Sequence, residues 1–358
     1  MSRIAFLNDT SSWYHWGCTG TSEAVKSALS QRGHEVTSVP IQAIYACRMI
    51  PEKTQDFDDP QFFNQFFNEN LPVTAPILES DIVVINGEGS LHGLPLIARV
   101  LLYLAYASKL YCKKQVHMIN HSCYPDVRPG SENTPVAQVY RGVYRHLDYV
   151  AIREHLSQNV LRTLGIETTL SFDCLPLYIR DHPPLRPQKQ SRSIVIAGSV
   201  SWHAEGLPAL AAYMEAMAAD GFEITVLTGA KADPAQDDQA FLTALREKTP
   251  DHWQHLDAPS MEVWLQTIQS ASMLVSGRFH YTIAACTLGT PCIVLASNTP
   301  KNRALCEEAR MPPPLSFDHA MLSRDLLERT TSGLGKPPIT DEVREEWKAR
   351  AEKNFERL

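Results

Sequence analysis

Ser276, Arg278 and His280 alternate along one short stretch, between the apolar run Met273-Leu274-Val275 and a series of small and apolar residues that reaches Leu288. A hydroxyl, a permanent cation and a titratable imidazole just ahead of a helix start suit an anion. The guanidinium supplies charge-assisted hydrogen bonds, the imidazole a proton, and the first helical turn its backbone N–H groups. Gly289 is placed to cap that helix and Pro291 prevents it from continuing, so Pro291-Cys292-Ile293-Val294-Leu295 reads as the next buried strand. In an open α/β sheet a loop of this kind lies at the carboxyl end of a strand, where ligands bind.

Other loops also carry more functional groups than a connection needs. Residues 8–21 hold Trp13, His15 and Trp16 together with Gly17, Gly20, Thr19 and Thr21, and Ser22 follows. The glycines and hydroxyls suit an anion at a following helix start, and the two indoles suit either a sugar face or a seal over the core. Gly87-Glu88-Gly89-Ser90-Leu91-His92-Gly93 follows the apolar run 81–86. Its glycines admit a ligand close to the backbone, and Glu88 and His92 are candidates for acid–base work. His121 follows the run 115–120, and Asp173 interrupts an apolar run at 171–176, where a carboxylate demands partners or a raised pKa. Gly198-Ser199 follows a further strand and offers N–H groups to a phosphate.

The elements that must position these groups alternate. Strands are expected at 4–7, 35–39, 81–86, 115–120, 148–153 and 168–172, with helices at 22–32, 94–110, 136–146 and 157–164. After the proline- and arginine-rich stretch 181–192 the alternation restarts, with strands at 193–197 and 223–227 and helices at 207–219, 237–248, 261–271 and 318–330. Strand–helix alternation argues for parallel sheets covered by helices. The expected organisation is therefore a first α/β domain over 1–180 with an irregular insertion at 41–80, and a linker at 181–192. A second α/β domain over 193–335 and a charged helix packing back on the first domain over 336–358 complete it. Phe62, Phe63, Phe66 and Phe67 share one helical face within the insertion and read as a small satellite core.

Composition narrows the class of function. The 358 residues carry a net charge of −7, with 44% hydrophobic and 20% charged residues and no lysine-rich run, which argues for a globular chain and against a nucleic-acid binder. Eight cysteines without a CxxC pair read as reduced thiols of a cytoplasmic protein. The greasiest stretch, 94–111, is interrupted by Arg99 and Lys109 and reads as a buried helix. Thirteen histidines without HExxH spacing give no reason to expect a metal.

The order and spacing of several of these motifs resemble the polysaccharide pyruvyltransferase superfamily. They are the GEGSLHG turn at 87–93, Arg153-Glu154-xx-Ser157 with Gly165, Ser171-Phe172-Asp173-Cys174-Leu175, and Ser276-Gly277-Arg278-Phe279-His280 with Gly289-Thr290-Pro291 behind it. The resemblance implies two Rossmann-like domains facing each other across a cleft, a GT-B-like arrangement. It also implies transfer of the pyruvyl unit of phosphoenolpyruvate to two hydroxyls of a sugar as a ketal, with no separate cofactor. Arg278 and Arg153 would hold the donor anion with Ser276 and Ser199, and His280 would donate a proton. Glu88, Asp173 and His121 are candidates for the base. Trp13, His15, Trp16, His92 and His121 would meet a sugar or glycan acceptor, free or lipid-linked, in the cytoplasm or at the inner face of the membrane. Members of the superfamily commonly show GGG where this chain has Gly87-Glu88-Gly89. That carboxylate supports an alternative, a GT-B glycosyltransferase using a CMP-activated acidic sugar such as CMP-Kdo, with Asp173 as nucleophile and Glu88 as acid–base. A glycan-binding subunit without turnover is a third reading.

Overall fold

The computed structural model describes residues 1–13, 15–126, 133–185, 192–231, 236–249 and 251–358. The chain divides into two compact units. One comprises Met1–Ser11, Thr21–Cys174 and Lys348–Leu358, the other Ser12–Gly20 and Leu175–Trp347. The division after Cys174 precedes the proline-rich stretch expected as a linker, of which residues 186–191 lie outside the described residues.

The first unit is built on a parallel sheet of β1 (Arg3–Asp9), β2 (Glu35–Pro40), β3 (Ile82–His92), β4 (Gln115–Tyr124), β5 (Tyr149–Ile152) and β6 (Thr169–Leu170). The order is β2-β1-β3-β4-β5-β6, and every neighbouring pair is parallel. Ile82, Val83, Val84 and Ile85 are all buried, as the strands of a sheet covered on both faces must be. The sheet changes winding direction between β1 and β3, so the loops leaving these two strands diverge and open a crevice at their carboxyl ends.

The second unit repeats the plan with β7 (Ser193–Ala197), β8 (Glu223–Thr228), β9 (Gln254–Asp257), β10 (Met273–Ser276) and β11 (Cys292–Val294). Its order is β11-β10-β7-β8-β9, again all parallel, with the switch between β7 and β10. Ile194, Ile196, Leu210, Tyr213, Val226, Phe241 and Val275 form its core. Edge strand β9 was not expected from the sequence, because Gln-His-Leu-Asp has no apolar alternation and stays mostly exposed. Gly289 takes the left-handed conformation (φ 77°) and closes the helix Phe279–Leu288, as expected of a glycine before Thr-Pro.

Three expectations about elements are corrected. The insertion 41–80 is helical, with helices Ile41–Tyr45, Thr54–Asp58, Pro60–Glu69 and Leu71–Glu79. Its prolines sit where a helix tolerates them, at the first positions of Pro60–Glu69 and Leu71–Glu79, while Pro76 lies inside the latter. Phe66 stacks edge-on against Tyr103 at 4.8 Å and Phe63 lies flat on Tyr111 at 4.4 Å, which fixes the insertion to the helix Leu96–Leu110 as a satellite core. Second, the first helix begins at Trp16, six residues before its expected start, and runs to Gln31, so Gly17, Thr19, Gly20, Thr21 and Ser22 are helical rather than an anion cradle in a loop. Third, the last helix stops at Glu352 and a 3₁₀ turn, Lys353–Phe355, follows. Within the first unit that turn is fastened by Asn354, whose Oδ1 accepts from the Asn120 N–H (2.8 Å) while its amide donates to the Phe172 carbonyl (2.8 Å).

Candidate active site

At the carboxyl edge of the first sheet, three neighbouring strands pass through the left-handed region at Asn8 (φ 62°), Glu88 (φ 39°) and Asn120 (φ 53°), where their pairing registers shift. Such a conformation is strained for a side-chain-bearing residue and persists only where surrounding contacts enforce it. Here the enforcing contacts run across the strands. The Asn8 amide donates to the Asn86 carbonyl (2.6 Å), and the Asn120 amide donates to Asn86 Oδ1 (2.8 Å). Asn8, Asn86 and Asn120 are completely buried. The sequence signalled this ladder only as an Asn closing each of the three apolar runs.

Glu88 lies beside this ladder, buried, in β3. Its Oε1 accepts a short hydrogen bond from the Thr10 hydroxyl and a longer one from the Asn86 amide (3.3 Å). Because Thr10 donates to Glu88, its oxygen accepts from the Ser22 hydroxyl (2.8 Å). Ser22 in turn accepts from the Thr10 N–H (2.9 Å) and from Asn86 (3.1 Å). The chain of donors ends on a buried carboxylate at the β1/β3 switch point.

Arg153 and Asp173 meet in the same unit at 2.8 Å, and Asp173 Oδ1 also accepts from the Thr21 hydroxyl (2.9 Å). Arg153 Nε donates to Ser122 (2.9 Å). The expected anion clamp and the expected nucleophile are thus each other's partner, a buried pair whose charges cancel. His121 is fully buried, its Nε2 within 2.8 Å of the Tyr144 hydroxyl, and burial followed by the Arg153 charge pushes its pKa down to about 3. A neutral imidazole packed under Gly87 is a core group; it is neither the acceptor contact nor the base expected of it. The reason for the glycine is steric, since a Cβ at Gly87 would lie 2.6 Å from that of His121. His92 is half-buried, with Nδ1 donating to the Gly89 carbonyl (2.8 Å), which shapes the turn.

The second sheet has its own group of side chains at the β7/β10 switch point. Ser276 Oγ accepts from the Arg278 N–H (3.0 Å), a tight turn that brings the chain from β10 into its helix. Ser199 Oγ donates to the Ala296 carbonyl (2.8 Å) and accepts from the Ser201 N–H (3.1 Å). Both hydroxyls, expected at the donor, hold the turns of these two loops. Gly277 lets these two loops touch, because a Cβ there would sit 2.3 Å from Ser199 Cβ. Arg278 is buried and its Nη2 donates to Asp238 in a short ion pair. Asp238 went unrecognised in the sequence, being one of two aspartates at the start of a charged helix, Gln236–Lys248. His280 stands in the first turn of Phe279–Leu288, buried.

Trp13, His15 and Trp16, expected on the first domain, belong to the second unit. The Trp16 indole N–H donates to the Ala258 carbonyl (2.8 Å) and the Trp16 backbone N–H to the Gly229 carbonyl (3.1 Å), so this buried indole is fixed within the second unit. Trp13 is half-buried. Gly17 lies flat against His280, where a Cβ would be 2.2 Å from that of the histidine. The His15 and His280 rings are 5.3 Å apart, and Cys18 Sγ is 3.4 Å from His15 Nε2. Sequence spacing gave no metal pattern, yet the fold gathers two histidines and a thiol from two distant segments.

No helix among the described residues is long and apolar enough to cross a membrane. A family model described as polysaccharide pyruvyl transferase matches residues 21–299. No curated protein matches the sequence. Among solved structures, the UDP-GlcNAc 2-epimerase of Methanocaldococcus jannaschii is 13% identical with a TM-score of 0.58, covering 99% of this chain and 98% of that one. S. aureus MnaA, solved with UDP, is 9% identical with a TM-score of 0.61, over 100% and 98% of the two chains. Arabidopsis thaliana UGT89C1, complexed with UDP-L-rhamnose, is 11% identical with a TM-score of 0.57, over 99% and 97%. At such identities the likeness is one of fold, the GT-B fold of epimerases and glycosyltransferases.

Proposed function

Because the chain belongs to the polysaccharide pyruvyl transferase family, we propose that it transfers the pyruvyl unit of phosphoenolpyruvate to two hydroxyls of a sugar in cell-surface glycan assembly. The observation that carries this reading is the placement of Arg278 and His280, both buried, where β10 gives way to its helix at the switch point of the second sheet. In the proposed reaction one sugar hydroxyl adds to the enol carbon, a proton adds to the terminal carbon, and the second hydroxyl displaces phosphate. The products are a ketal and inorganic phosphate.

In this reading Asp238 fixes the plane of the Arg278 guanidinium, which holds the donor carboxylate or phosphate with the N–H groups of the helix start. His280 supplies the proton to the terminal carbon. Glu88, in the first unit, takes the proton from the attacking hydroxyl. The acceptor is a sugar or glycan, lipid-linked or free, and the reaction needs no cofactor beyond the donor. The proposed setting is the cytoplasm, free or at the inner face of the membrane.

The test is donor choice. Incubation with labelled phosphoenolpyruvate and a panel of hexose-containing oligosaccharides is expected to release phosphate in step with an acid-labile pyruvyl ketal. Release of CMP from CMP-Kdo, with no phosphate from phosphoenolpyruvate, would overturn the assignment in favour of glycosyl transfer.

A further inference from the structure

We infer that His15, Cys18 and His280 form a binding site for a borderline-soft divalent cation of the Zn²⁺ class, with the three side chains as ligands and a fourth position left to water or a small anion. Among the described residues these three bring one ligand atom each to within 4.8 Å of one another, and all three are buried in the second unit. The chemistry of the set is selective. Two imidazoles and a thiolate suit zinc and similar ions and do not suit magnesium or calcium, which take oxygen ligands.

The geometry is close to that of a bound site. Tetrahedral zinc with ordinary bond lengths holds a sulfur and an imidazole nitrogen about 3.6 Å apart; His15 Nε2 and Cys18 Sγ are 3.4 Å apart. His15 and Cys18 are three residues apart at the start of a helix, so both side chains leave the same side of the first turn. The third ligand is brought in from the other end of the sequence by a contact that only glycine permits. Gly17, between the first two ligands, lets the His280 Cβ approach its backbone. Closing the 4.8 Å spread of the three ligand atoms to the roughly 3.5 Å of a zinc site asks for a movement of up to about 1.3 Å.

Protons must move for the ion to bind. The Cys18 N–H donates to His15 Nδ1 at 3.3 Å, so in the metal-free chain Nε2 of a neutral His15 carries the proton and points it at the sulfur. Binding removes the thiol proton to solvent and shifts the imidazole proton to Nδ1, exchanging a long amide contact for two metal bonds. The metal and the proton that His280 is proposed to donate are mutually exclusive on one nitrogen. A bound metal therefore competes with the proposed proton transfer at His280, and the site is read by metal binding itself rather than by turnover.

Chelator-stripped protein titrated with Zn²⁺ against a chromophoric chelator is expected to bind one tight equivalent and release protons. With Co²⁺ as the probe, the same site is expected to give intense tetrahedral d–d bands and a thiolate-to-cobalt charge-transfer band. C18S and H15A are each expected to weaken Zn²⁺ by more than about 100-fold, beyond what loss of an outer-shell contact causes. C112S, at a partly exposed thiol elsewhere, is expected to leave both readouts unchanged. Unfolding midpoints of the variants without metal guard against misfolding, and H280Q supplies a third, less disruptive change. Absence of a tight equivalent in the wild type, or a cobalt charge-transfer band that survives C18S, would overturn the site.

Discussion

Arg153 and Asp173 form an ion pair at 2.8 Å with side chains 1% and 0% exposed, in the interior of the first unit. A pair this deep is weak evidence for stability, since both ions lose their hydration, but breaking it leaves one charge uncompensated. Asp173→Ala is therefore expected to cost about 3–5 kcal/mol. The double variant Arg153→Met/Asp173→Leu should recover most of that loss. Urea unfolding of the three proteins decides it; a single variant as stable as wild type would mean that the Arg153 charge finds another partner.

Glu88 is held by Thr10 and Asn86 in a backbone conformation that only function or strong local constraint maintains. Replacement by Gln keeps the shape and the hydrogen-bond acceptor but removes the base. Phosphate release is expected to fall by about 10²–10⁴-fold with the unfolding midpoint unchanged. A loss confined to KM would point to acceptor binding instead.

Arg278 shares a buried ion pair with Asp238. Lysine keeps the charge but not the planar fork, so R278K is expected to lose at least about tenfold in kcat/KM for phosphoenolpyruvate, equivalent to about 1.4 kcal/mol. Activity retained in R278K would show that the position contributes only charge.

Two buried groups give opposite pH dependences. Burial lowers the His121 pKa from 6.5 to about 3, so the folded chain binds fewer protons there than the unfolded chain. Its contribution is present above pH 6.5 and is lost as pH falls towards 3. Burial raises Glu154 from 4.5 to about 7, against the hydrogen bonds from Ser157. Its contribution is present below 4.5 and is lost as pH rises through 7. Glu154→Gln mimics the protonated form, so its stability relative to wild type should grow between pH 4.5 and 7 and then level off. Parallel stability profiles of the two proteins across that window would show that Glu154 is already ionised in the fold.

Gly17 and Gly142 are both helical, and the same substitution should act on them in opposite directions. A Cβ at Gly142 meets nothing within 4 Å, and Ala there should stabilise by about 0.5–1 kcal/mol through helix propensity. At Gly17 the new Cβ would lie 2.2 Å from His280, and the strain should outweigh propensity by about 1–3 kcal/mol. Thermal unfolding of the two alanine variants measures the contrast, and G17A should also lose turnover because His280 must shift.

Much of this protein is legible along the chain, because the information is local. Runs such as Ile82-Val83-Val84-Ile85 have too few polar groups to face water, so alternating strands and helices and two parallel sheets follow from periodicity. The Gly289-Thr290-Pro291 signal ends its helix for reasons contained in three residues. The partners of the charged groups are not local. Asp238 reaches Arg278 across 40 positions, Asp173 reaches Arg153 across 20, and His15 meets His280 only because Gly17 lacks a side chain. Sequence gives a guanidinium its charge, but only the packing of separate elements decides which carboxylate neutralises it and whether an imidazole is a core group, a proton donor or a ligand.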